Sequence, residues 1–581
     1  MDFRRTILWV VFLMSAMFLV DGWQRYNGGA GFMGVPPKPQ ASNSAAGASA
    51  ANTTPKTSDA VPTTAAVAST ASSAPNDTAP ASSTTLAQAT QTIKLSNDVL
   101  AIEVSSAGGN IVRAELLKHK EEKDLNKNVV LLESGNKPYL AQTGLINTVK
   151  DGLEFPDHRL KTVYTVVSSN TDTVILEAQV NGVTLTKTIA LSAGSYNISV
   201  NHGVSNASAA AITPSLYLQL LRHGGAITEG NLVTQPTSTF TGPAVYTEEK
   251  KFQKIEFSEI EKNKAKFQNI TKDAEPAWVA MVQHYFVSAW VAKDNKAREL
   301  EADAITGADN GRHYRIRTKQ SLGTIAPGAR VSHDAVLYVG PQDQEALEKL
   351  SPGLELVVDY GILTIFAKPM FAALKFFHSL TDNWGWAIVL LTVAIKAMLY
   401  LPMAMSYRSM AKMKLVAPKM KALQERHADD KPKLNTAMME LYRTEKINPL
   451  SGCLPILLTI PIFIALYWVL LASVEMRNAP WIGWITNLAA PDHWYVLPVL
   501  LALTMWAQFK LSPTPPDPMQ AKVMMVMQGV FAIMFLFFPA GLNLYYLVNN
   551  TLSIAQQKFI TMQLEKEGLQ EKVVKVAKIK K

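Results

Sequence analysis

The chain has 581 residues, which is too long for one compact domain, and 48% of them are hydrophobic whereas only 18% are charged. This composition excludes an intrinsically disordered chain and indicates that part of the protein lies in lipid. A single cysteine, Cys453, excludes a disulfide framework, a CxxC redox pair and a cysteine-based zinc site, and the net charge of +9 is modest for this length.

The chain begins with an apolar run, residues 7–20, that follows two arginines. Its length matches the core of a signal peptide, so cleavage is one alternative. No small-residue cleavage site follows, and Trp23 and Tyr26 are typical of a membrane interface. We therefore predict an uncleaved anchor in residues 1–27, with a first transmembrane helix at about 6–23.

A long segment without membrane-length apolar runs follows the anchor. Residues 28–90 are rich in Ala, Ser, Thr and Pro and lack the large apolar side chains of a core, which predicts a disordered tether. Residues 91–350 contain short β-rich runs, such as 174–180 and 183–191, which predict an antiparallel β-sandwich. Residues 351–382 are apolar but interrupted by charges and a proline, which favours an amphipathic helix in the outer membrane interface. A plain connecting helix is the alternative.

The C-terminal part contains five apolar runs, each near the length that crosses hydrocarbon. Together with the first helix they predict a polytopic α-helical membrane protein with six transmembrane helices. The five later spans are predicted at 383–402, 452–472, 494–510, 522–538 and 542–560.

Basic residues in the connections predict the orientation of these spans. Residues 403–451, which read as a helical hairpin, carry ten Lys and Arg residues, whereas the loop 473–493 carries only Arg477. The hairpin, the loop 511–521 and the basic tail 561–581 are therefore predicted to be cytoplasmic, as are both termini, and the β-rich domain periplasmic. Five tryptophans fall at the proposed outer boundaries, as in an aromatic belt: Trp384, Trp386, Trp481, Trp484 and Trp494.

Motifs for catalysis are weak or missing from the sequence. Gly29, Gly31 and Gly34 match G-x-G-x-x-G, but Pro36 and Pro37 follow, where a dinucleotide fingerprint requires a helix. The sequence contains neither a P-loop nor an H-E-x-x-H motif. We therefore predict no catalytic residues, no metal site and no cofactor, and we expect the protein not to be an enzyme.

Lys396 lies inside the second predicted span. An ammonium group in the membrane is expensive and is normally retained because it faces a polar cavity or a partner. The other four C-terminal spans contain no Asp or Glu that would neutralise it. We predict that Lys396 supplies the positive charge of a hydrophilic groove within the bilayer, which would attract acidic or polar peptide segments.

Polar residues recur at helical spacing in the same spans, so that they share helix faces with one another. We predict that they line the groove. The alternative is that they join helices by interhelical hydrogen bonds. These residues are Thr392, Thr459, Thr504, Gln508, Asn543, Tyr546, Asn550, Ser553 and Gln557.

Methionines are concentrated in and beside the predicted hairpin. Flexible thioethers suit a surface that accepts many apolar sequences, which predicts contacts with client proteins, although a hairpin core explains them equally well. The basic side chains there and in the tail are suited to ribosomal RNA or to anionic lipid, and both remain open. The methionines in question are Met403, Met410, Met413, Met420, Met438 and Met439.

Several motifs resemble the YidC/Oxa/Alb family of membrane insertases. They share its order and spacing over roughly residues 350–565, and one further motif resembles the periplasmic domain of Gram-negative members. The motifs are Ser409-Met-Ala-Lys-Met-Lys, Met438-Met-Glu-Leu-Tyr, Glu445-Lys-Ile-Asn-Pro-Leu-Ser-Gly-Cys-Leu-Pro, Asp517-Pro-Met-Gln, Phe538-Pro-Ala-Gly-Leu-Asn-Leu-Tyr-Tyr and, in the outer domain, Trp278-Val-Ala-Met-Val-Gln-His-Tyr-Phe.

The resemblance implies a β-supersandwich in the periplasm, a core of five helices, and insertion and folding of inner-membrane proteins alone or beside the Sec translocon. Its implied partners are nascent membrane proteins, the Sec translocon, the ribosome and the phospholipid bilayer. The groove cation of the family is usually arginine, and the matching position here is Lys396. Thr392 and Tyr546 match positions at which the family contacts the client helix, and Phe537, a further candidate for client contact, stands where many members have tryptophan.

Two other functions fit parts of the sequence. A secondary transporter or channel would use Lys396 to bind an anionic solute, although the repeated halves typical of transporters are not evident. The β-rich domain alone would also suit a tethered carbohydrate-binding module.

Overall fold

The computed structural model describes residues 90–122, 124–147, 162–224, 240–306, 311–360, 363–427, 430–445, 454–512 and 518–579. The predicted anchor and nearly all of the predicted tether lie outside these residues, as does Cys453. The chain divides into two compact units, one that contains the strands and ends at Val358, and one that begins at Asp359 and contains the apolar helices.

The first unit is built from strands that we number β1 to β17 in chain order. Two short helices accompany them, α1 (Phe257–Glu261) and α2 (Gln344–Leu350), with a 3-10 turn at Leu354–Val357. The strands are β1 Thr92–Ser96, β2 Leu100–Ser105, β3 Asn110–Lys120, β4 Asn128–Glu133, β5 Tyr139–Asn147, β6 Thr165–Ser169, β7 Thr173–Val180, β8 Val183–Leu191, β9 Asn197–Asn206, β10 Pro214–His223, β11 Gly242–Thr247, β12 Lys251–Lys254, β13 Ala277–Gln283, β14 Phe286–Ala292, β15 Glu299–Thr306, β16 Arg312–Ser321 and β17 Arg330–Pro341.

Among the described residues these strands form two antiparallel sheets, which confirms the predicted all-β domain. One sheet has the order β1-β2-β3-β4-β5-β10-β16-β15, and the other has the order β12-β11-β13-β14-β17-β9-β8-β7-β6. Buried and partly exposed positions alternate along β8 and β9, as expected for strands with one face in a core. Strand β14, in the interior of the second sheet, is buried throughout, and its Trp290 indole donates to the Gln219 carbonyl of the first sheet at 3.0 Å.

Lys187 joins the two sheets from inside the sandwich. It lies on β8, is almost completely buried, and donates to main-chain carbonyls of the opposite sheet and its β2–β3 turn. The distances from Nζ are 2.8 Å to Gly108, 3.2 Å to Gly109 and 2.8 Å to Thr143. Three acceptors match the three donors of an ammonium group, so the buried charge is fully hydrogen-bonded.

The second unit is helical. Its helices are α3 Thr364–Thr381, α4 Trp384–Met398, α5 Tyr400–Arg426, α6 Lys431–Thr444, α7 Leu454–Ala472, α8 Val496–Leu511, α9 Pro518–Met534 and α10 Ala540–Ile579, with 3-10 turns at Val474–Met476 and Phe535–Phe537.

The second predicted span, 383–402, is not one straight helix. Helix α4 ends at Met398 and α5 begins at Tyr400, and the two meet at an angle of 68°. In the described part of the chain, no single helix is both long and apolar enough to cross a bilayer, whereas α4 with Tyr400–Met413 meets that requirement as a bent pair. Shorter apolar helices occupy Leu458–Ala472, Val496–Leu511 and Met524–Phe537. The number of spans therefore stays a prediction.

Candidate functional site: a polar cluster around Lys396

Helix α4 is fixed at its start by the loop between α7 and α8. The Asn383 side chain accepts from the Trp386 amide at 3.1 Å and donates to the Trp481 carbonyl at 3.2 Å. Gly385 lies so close to the Trp481 ring that an added Cβ would overlap it. These contacts set the position of α4, and with it the position of Lys396 near the other end.

Lys396 lies in the last turn of α4 and reaches across to α10. Its Nζ donates to Ser553 Oγ at 2.6 Å, and Ser553 Oγ in turn donates to the Asn549 carbonyl at 2.7 Å. The side chain is partly buried, and in the described residues this is its only hydrogen bond. An ammonium group has three donors, so two of them are available to water or to a peptide.

Side chains from two further helices complete the cluster. The Tyr407 hydroxyl, on α5, lies near the side chains of Ser553 and of Gln508 on α8. Gln557, one turn after Ser553, donates to the Leu511 carbonyl at the end of α8 at 3.3 Å. We call Lys396, Tyr407, Gln508, Ser553 and Gln557 the polar cluster.

The polar cluster contains hydrogen-bonding capacity that the described residues do not use. The Oε1 atoms of Gln508 and Gln557 are buried without a partner there, and the ammonium of Lys396 has spare donors. Unpaired buried polar atoms are costly unless water or a ligand satisfies them. The arrangement can therefore hold water or polar groups of a peptide among otherwise apolar helices.

Three of the predicted groove residues instead hydrogen-bond to nearby main-chain carbonyls. Thr392 is 1% exposed and donates to the Ile388 carbonyl at 2.7 Å, and Thr504 donates to Leu501 at 2.8 Å. Asn543 is fully buried and donates to the Phe535 carbonyl at 3.1 Å, which holds the start of α10 against the preceding 3-10 turn. These hydrogen bonds lie within one helix or join a helix to the turn before it, so they do not show these residues joining neighbouring helices.

The other predicted groove residues are partly buried and lie outside the polar cluster. Tyr546 packs its ring against Phe463 and Phe535, with centroids 4.7 and 4.8 Å apart. Thr459 and Asn550 are partly buried on α7 and α10. Of the nine predicted lining residues, the structure places Ser553 in contact with Lys396, while Gln557 lies one turn further along α10 and Gln508 lies on the adjacent helix α8.

The methionines divide between packing and exposure. Met403 is buried against Tyr407 and Ile560, and Met410 packs on the same group. Met420 is buried in the hairpin, where Met413 and Met438 pack against it. Met439 is 62% exposed and Phe537 is 41% exposed, so these two remain available to a client. A hairpin core therefore accounts for three of the six methionines, and packing of α5 against α10 accounts for two more.

Tyr407 is not among the residues predicted from the sequence, and it lies in the basic segment after the second predicted span. One signal was available: Pro402, which is favoured in a first helical turn, marks the start of a new helix. The direction in which that helix leaves α4 has no signal in the sequence.

Comparisons with known proteins match both units. The family model described as the YidC periplasmic domain matches residues 92–373, and the model described as 60Kd inner membrane protein matches residues 376–567. The membrane protein insertase YidC of Bordetella petrii is 48% identical over 98% of this chain and 99% of its own length, and that of Cupriavidus necator is 47% identical over 97% and 98%. A solved structure of an active YidC insertase covers 81% of this chain and 92% of its own at 17% identity, with a TM-score of 0.33. Because relatives nearly half identical to it match it along almost its whole length, the chain belongs to the YidC family of membrane protein insertases.

Proposed function

We propose that this protein inserts and folds membrane proteins in the bacterial inner membrane, through a hydrophilic groove that carries the positive charge of Lys396. The observation that carries the proposal is the polar cluster, in which the Lys396 ammonium makes one described hydrogen bond, to Ser553, and two amide oxygens of the same cluster are buried without a described partner. The family to which the chain belongs supports the same activity, since its relatives are named membrane protein insertases.

The polar cluster would lower the barrier for moving the polar end of a client into the membrane. A charged residue at the centre of a membrane helix costs roughly 2.5–3.5 kcal/mol on insertion scales. Donors from Lys396 and acceptors from the two glutamines replace part of the hydration that a polar segment loses. The driving force comes from the client itself, because each buried Leu, Ile, Phe or Val contributes about 0.3–0.6 kcal/mol to insertion. On this mechanism the protein works without catalytic residues and without a cofactor.

The proposal includes a topology with both termini and the α5–α6 hairpin in the cytoplasm and the β-rich unit in the periplasm. The ten basic residues of 403–451 support it, because positive residues are retained on the cytoplasmic side. On the opposite side, the Trp484 and Trp494 rings stack with centroids 6.0 Å apart, as suits an aromatic belt.

We include the ribosome and the Sec translocon as partners of the nascent client. Exposed basic side chains on the hairpin support contact with RNA phosphates, among them Arg408, Lys412 and Lys419. The translocon is included on the grounds of the family resemblance alone.

The test is insertion of a single-span client with a short acidic tail, in cells depleted of their own insertase. We expect Lys396→Arg to retain most of the activity, and Lys396→Ala and Lys396→Glu to reduce it at least about tenfold, because a hydrogen bond to a charged group contributes about 1.5–3 kcal/mol. Lys349→Ala, which removes an exposed lysine of the first unit, is the matched control. If the wild-type chain inserts no client above the depleted background, the proposed function is wrong, and flux of an anionic solute in proteoliposomes would then favour a transporter.

A further inference from the structure

Lys396 lies where its side chain could extend away from the polar cluster. It is in the last turn of α4, and its neighbours Ala397 and Met398 are exposed on the surface of that turn. A lysine near the end of a membrane helix ordinarily extends along the helix surface until its ammonium reaches water. The ammonium of Lys396 instead crosses to α10, so the contact that it makes there needs an explanation.

Ser553 makes that contact and has little capacity for any other. It is 5% exposed, and its single hydrogen is donated to the Asn549 carbonyl, one turn earlier in α10, at 2.7 Å. This bond leaves only the lone pairs of Oγ for a second partner, and Lys396 Nζ donates to them at 2.6 Å. Because Ser553 is buried and its hydrogen is already used, its hydroxyl serves Lys396 rather than a client.

The same face of α10 is hydrogen-bonded to two further helices. Gln556 Nε2 donates to the carbonyl of Tyr400, the first residue of α5, at 3.2 Å, and Gln557 donates to the Leu511 carbonyl, at the end of α8. These glutamines follow Ser553 by three and four residues, so the three side chains share one face of the helix. Tyr400 follows the bend of 68° between α4 and α5, so α10 is bonded to the chain after the bend as well as before it. The position of Ser553 is therefore held by contacts that do not involve the ammonium.

An alanine in place of Ser553 would remove the acceptor but would keep the charge of Lys396, and alanine is the best helix former. The ammonium would then be free to adopt several positions, some of them outside the polar cluster. A polar client segment would meet it in the required geometry less often.

We propose that Ser553 is a positioning residue for Lys396, which holds the groove cation between α4 and α10 so that it does not extend to the membrane surface. The proposal rests on the proposed function as an insertase. It differs from a lining role, because Ser553 orients the group that meets the client and does not itself contact the client.

The experiment measures client insertion by the full-length chain in depleted cells, with variants matched for abundance in the membrane. The variants are Ser553→Ala, Ser553→Thr, Lys396→Ala and the double variant Ser553→Ala/Lys396→Ala. The matched control is Thr551→Ala, because Thr551 donates to the Leu547 carbonyl at 2.7 Å in the same way, from an exposed position of the same helix. Two clients are compared, one whose insertion Lys396→Ala reduces and one whose insertion it leaves unchanged.

We expect Ser553→Ala to reduce insertion of the Lys396-dependent client about three- to tenfold, the effect of losing one net hydrogen bond, and to leave the other client unchanged. Ser553→Thr, which keeps a hydroxyl, should retain most of the activity, and Thr551→Ala should insert both clients as wild type does. In the Lys396→Ala background, Ser553→Ala should have no further effect, because there is no longer a cation to position.

A serine that only packs the helices would behave differently. Equal losses for both clients, or a full additional loss in the Lys396→Ala background, would overturn the proposal, as would wild-type insertion by Ser553→Ala. A Ser553→Thr variant as impaired as Ser553→Ala would also overturn it, because the hydroxyl would then not be the group that matters. In each of these cases the wild-type chain still inserts the Lys396-dependent client, so the proposed function itself stands. Failure of the wild-type chain would instead remove the proposed function.

Discussion

At the scale of single residues, Lys187, which is buried, and Lys396, which is partly buried, have different surroundings. The ammonium of Lys187 has three main-chain carbonyls around it, which use all its donors. Lys396 has one described acceptor, the side chain of Ser553, and keeps two donors for other partners. A fully paired lysine holds a structure together, whereas a partly paired one is available for binding, and this difference supports a structural role for Lys187 and the proposed client-binding role of Lys396.

The burial of Lys187 predicts how the free energy of unfolding of the β-rich unit depends on pH. Desolvation lowers the pKa of Lys187 from its ordinary value of 10.5 to about 7. The unfolded chain therefore holds this proton more tightly than the folded one, so the free energy of unfolding should rise as the pH increases from about 7 towards 10.5. Each unit of pKa difference corresponds to about 1.4 kcal/mol. We expect Lys187→Met to remove this rise, measured as thermal unfolding of the β-rich unit in the full-length chain between pH 7 and 10.

The matched control for this prediction is Lys94→Met, since the Lys94 side chain is 81% exposed. It should leave the pH dependence of wild type in place. His202, beside Lys187, contributes in a different range: burial lowers its pKa well below 6.5, so stability should fall further as the pH drops below 6.5. An unchanged pH profile in Lys187→Met would show that the titration of Lys187 is not linked to folding.

At the scale of elements, the start of α4 determines where the polar cluster forms. Gly385 allows the Trp481 ring to lie directly on the helix, and Asn383 ties the same loop to the first turn. We predict that Gly385→Ala separates α4 from this loop and destabilises the helical unit by about 1–3 kcal/mol, the usual cost of overpacking. The measurement is thermal unfolding of the purified chain in detergent, followed by insertion of the Lys396-dependent client.

Gly529 offers a control within another helix. It lies in α9, where an added Cβ meets no atom within 4 Å. Gly529→Ala should therefore keep or raise stability by up to about 1 kcal/mol, because alanine has the higher helix propensity. Equal behaviour of the two alanine variants would contradict the importance of the Trp481 contact.

At the scale of the whole molecule, the two units differ in what they contribute to the proposed function. The β-rich unit has its own core, with Trp278 and Trp290 completely buried, whereas the polar cluster lies entirely in the helical unit. We predict that a chain lacking residues 30–340 still inserts the Lys396-dependent client, at a level well above that of full-length Lys396→Glu in the same depleted cells. Loss of all insertion in the deletion, with normal abundance in the membrane, would show that the function needs the β-rich unit.

The sequence by itself determined the division into a β-rich part and an apolar helical part, because alternation with a period of two and long uncharged runs are local properties of the chain. It also identified Lys396, since a lysine within an apolar run can be recognised in the sequence without knowing which residues it contacts. The partners of Lys396 could not be determined from the sequence. Ser553 is 157 residues away, and nothing in the spacing of Thr392, Asn543 and Ser553 distinguishes the residue that meets the ammonium from the two that do not, since all three donate to a main-chain carbonyl.

Only the tertiary structure decided those pairings, because the Lys396–Ser553 contact depends on how α4 packs against α10. The predicted span 383–402 ends at Met398 because the chain turns by 68° at Leu399, and this turn brings Tyr407 to Ser553 and Gln508. The same turn buries Met403, which the sequence offered as a surface for clients. Hydrophobic periodicity reports which face of a helix is apolar, but the angle between two helices depends on how their side chains pack against a third. The sequence was therefore sufficient to propose Lys396 as the groove cation, whereas its surroundings required the fold.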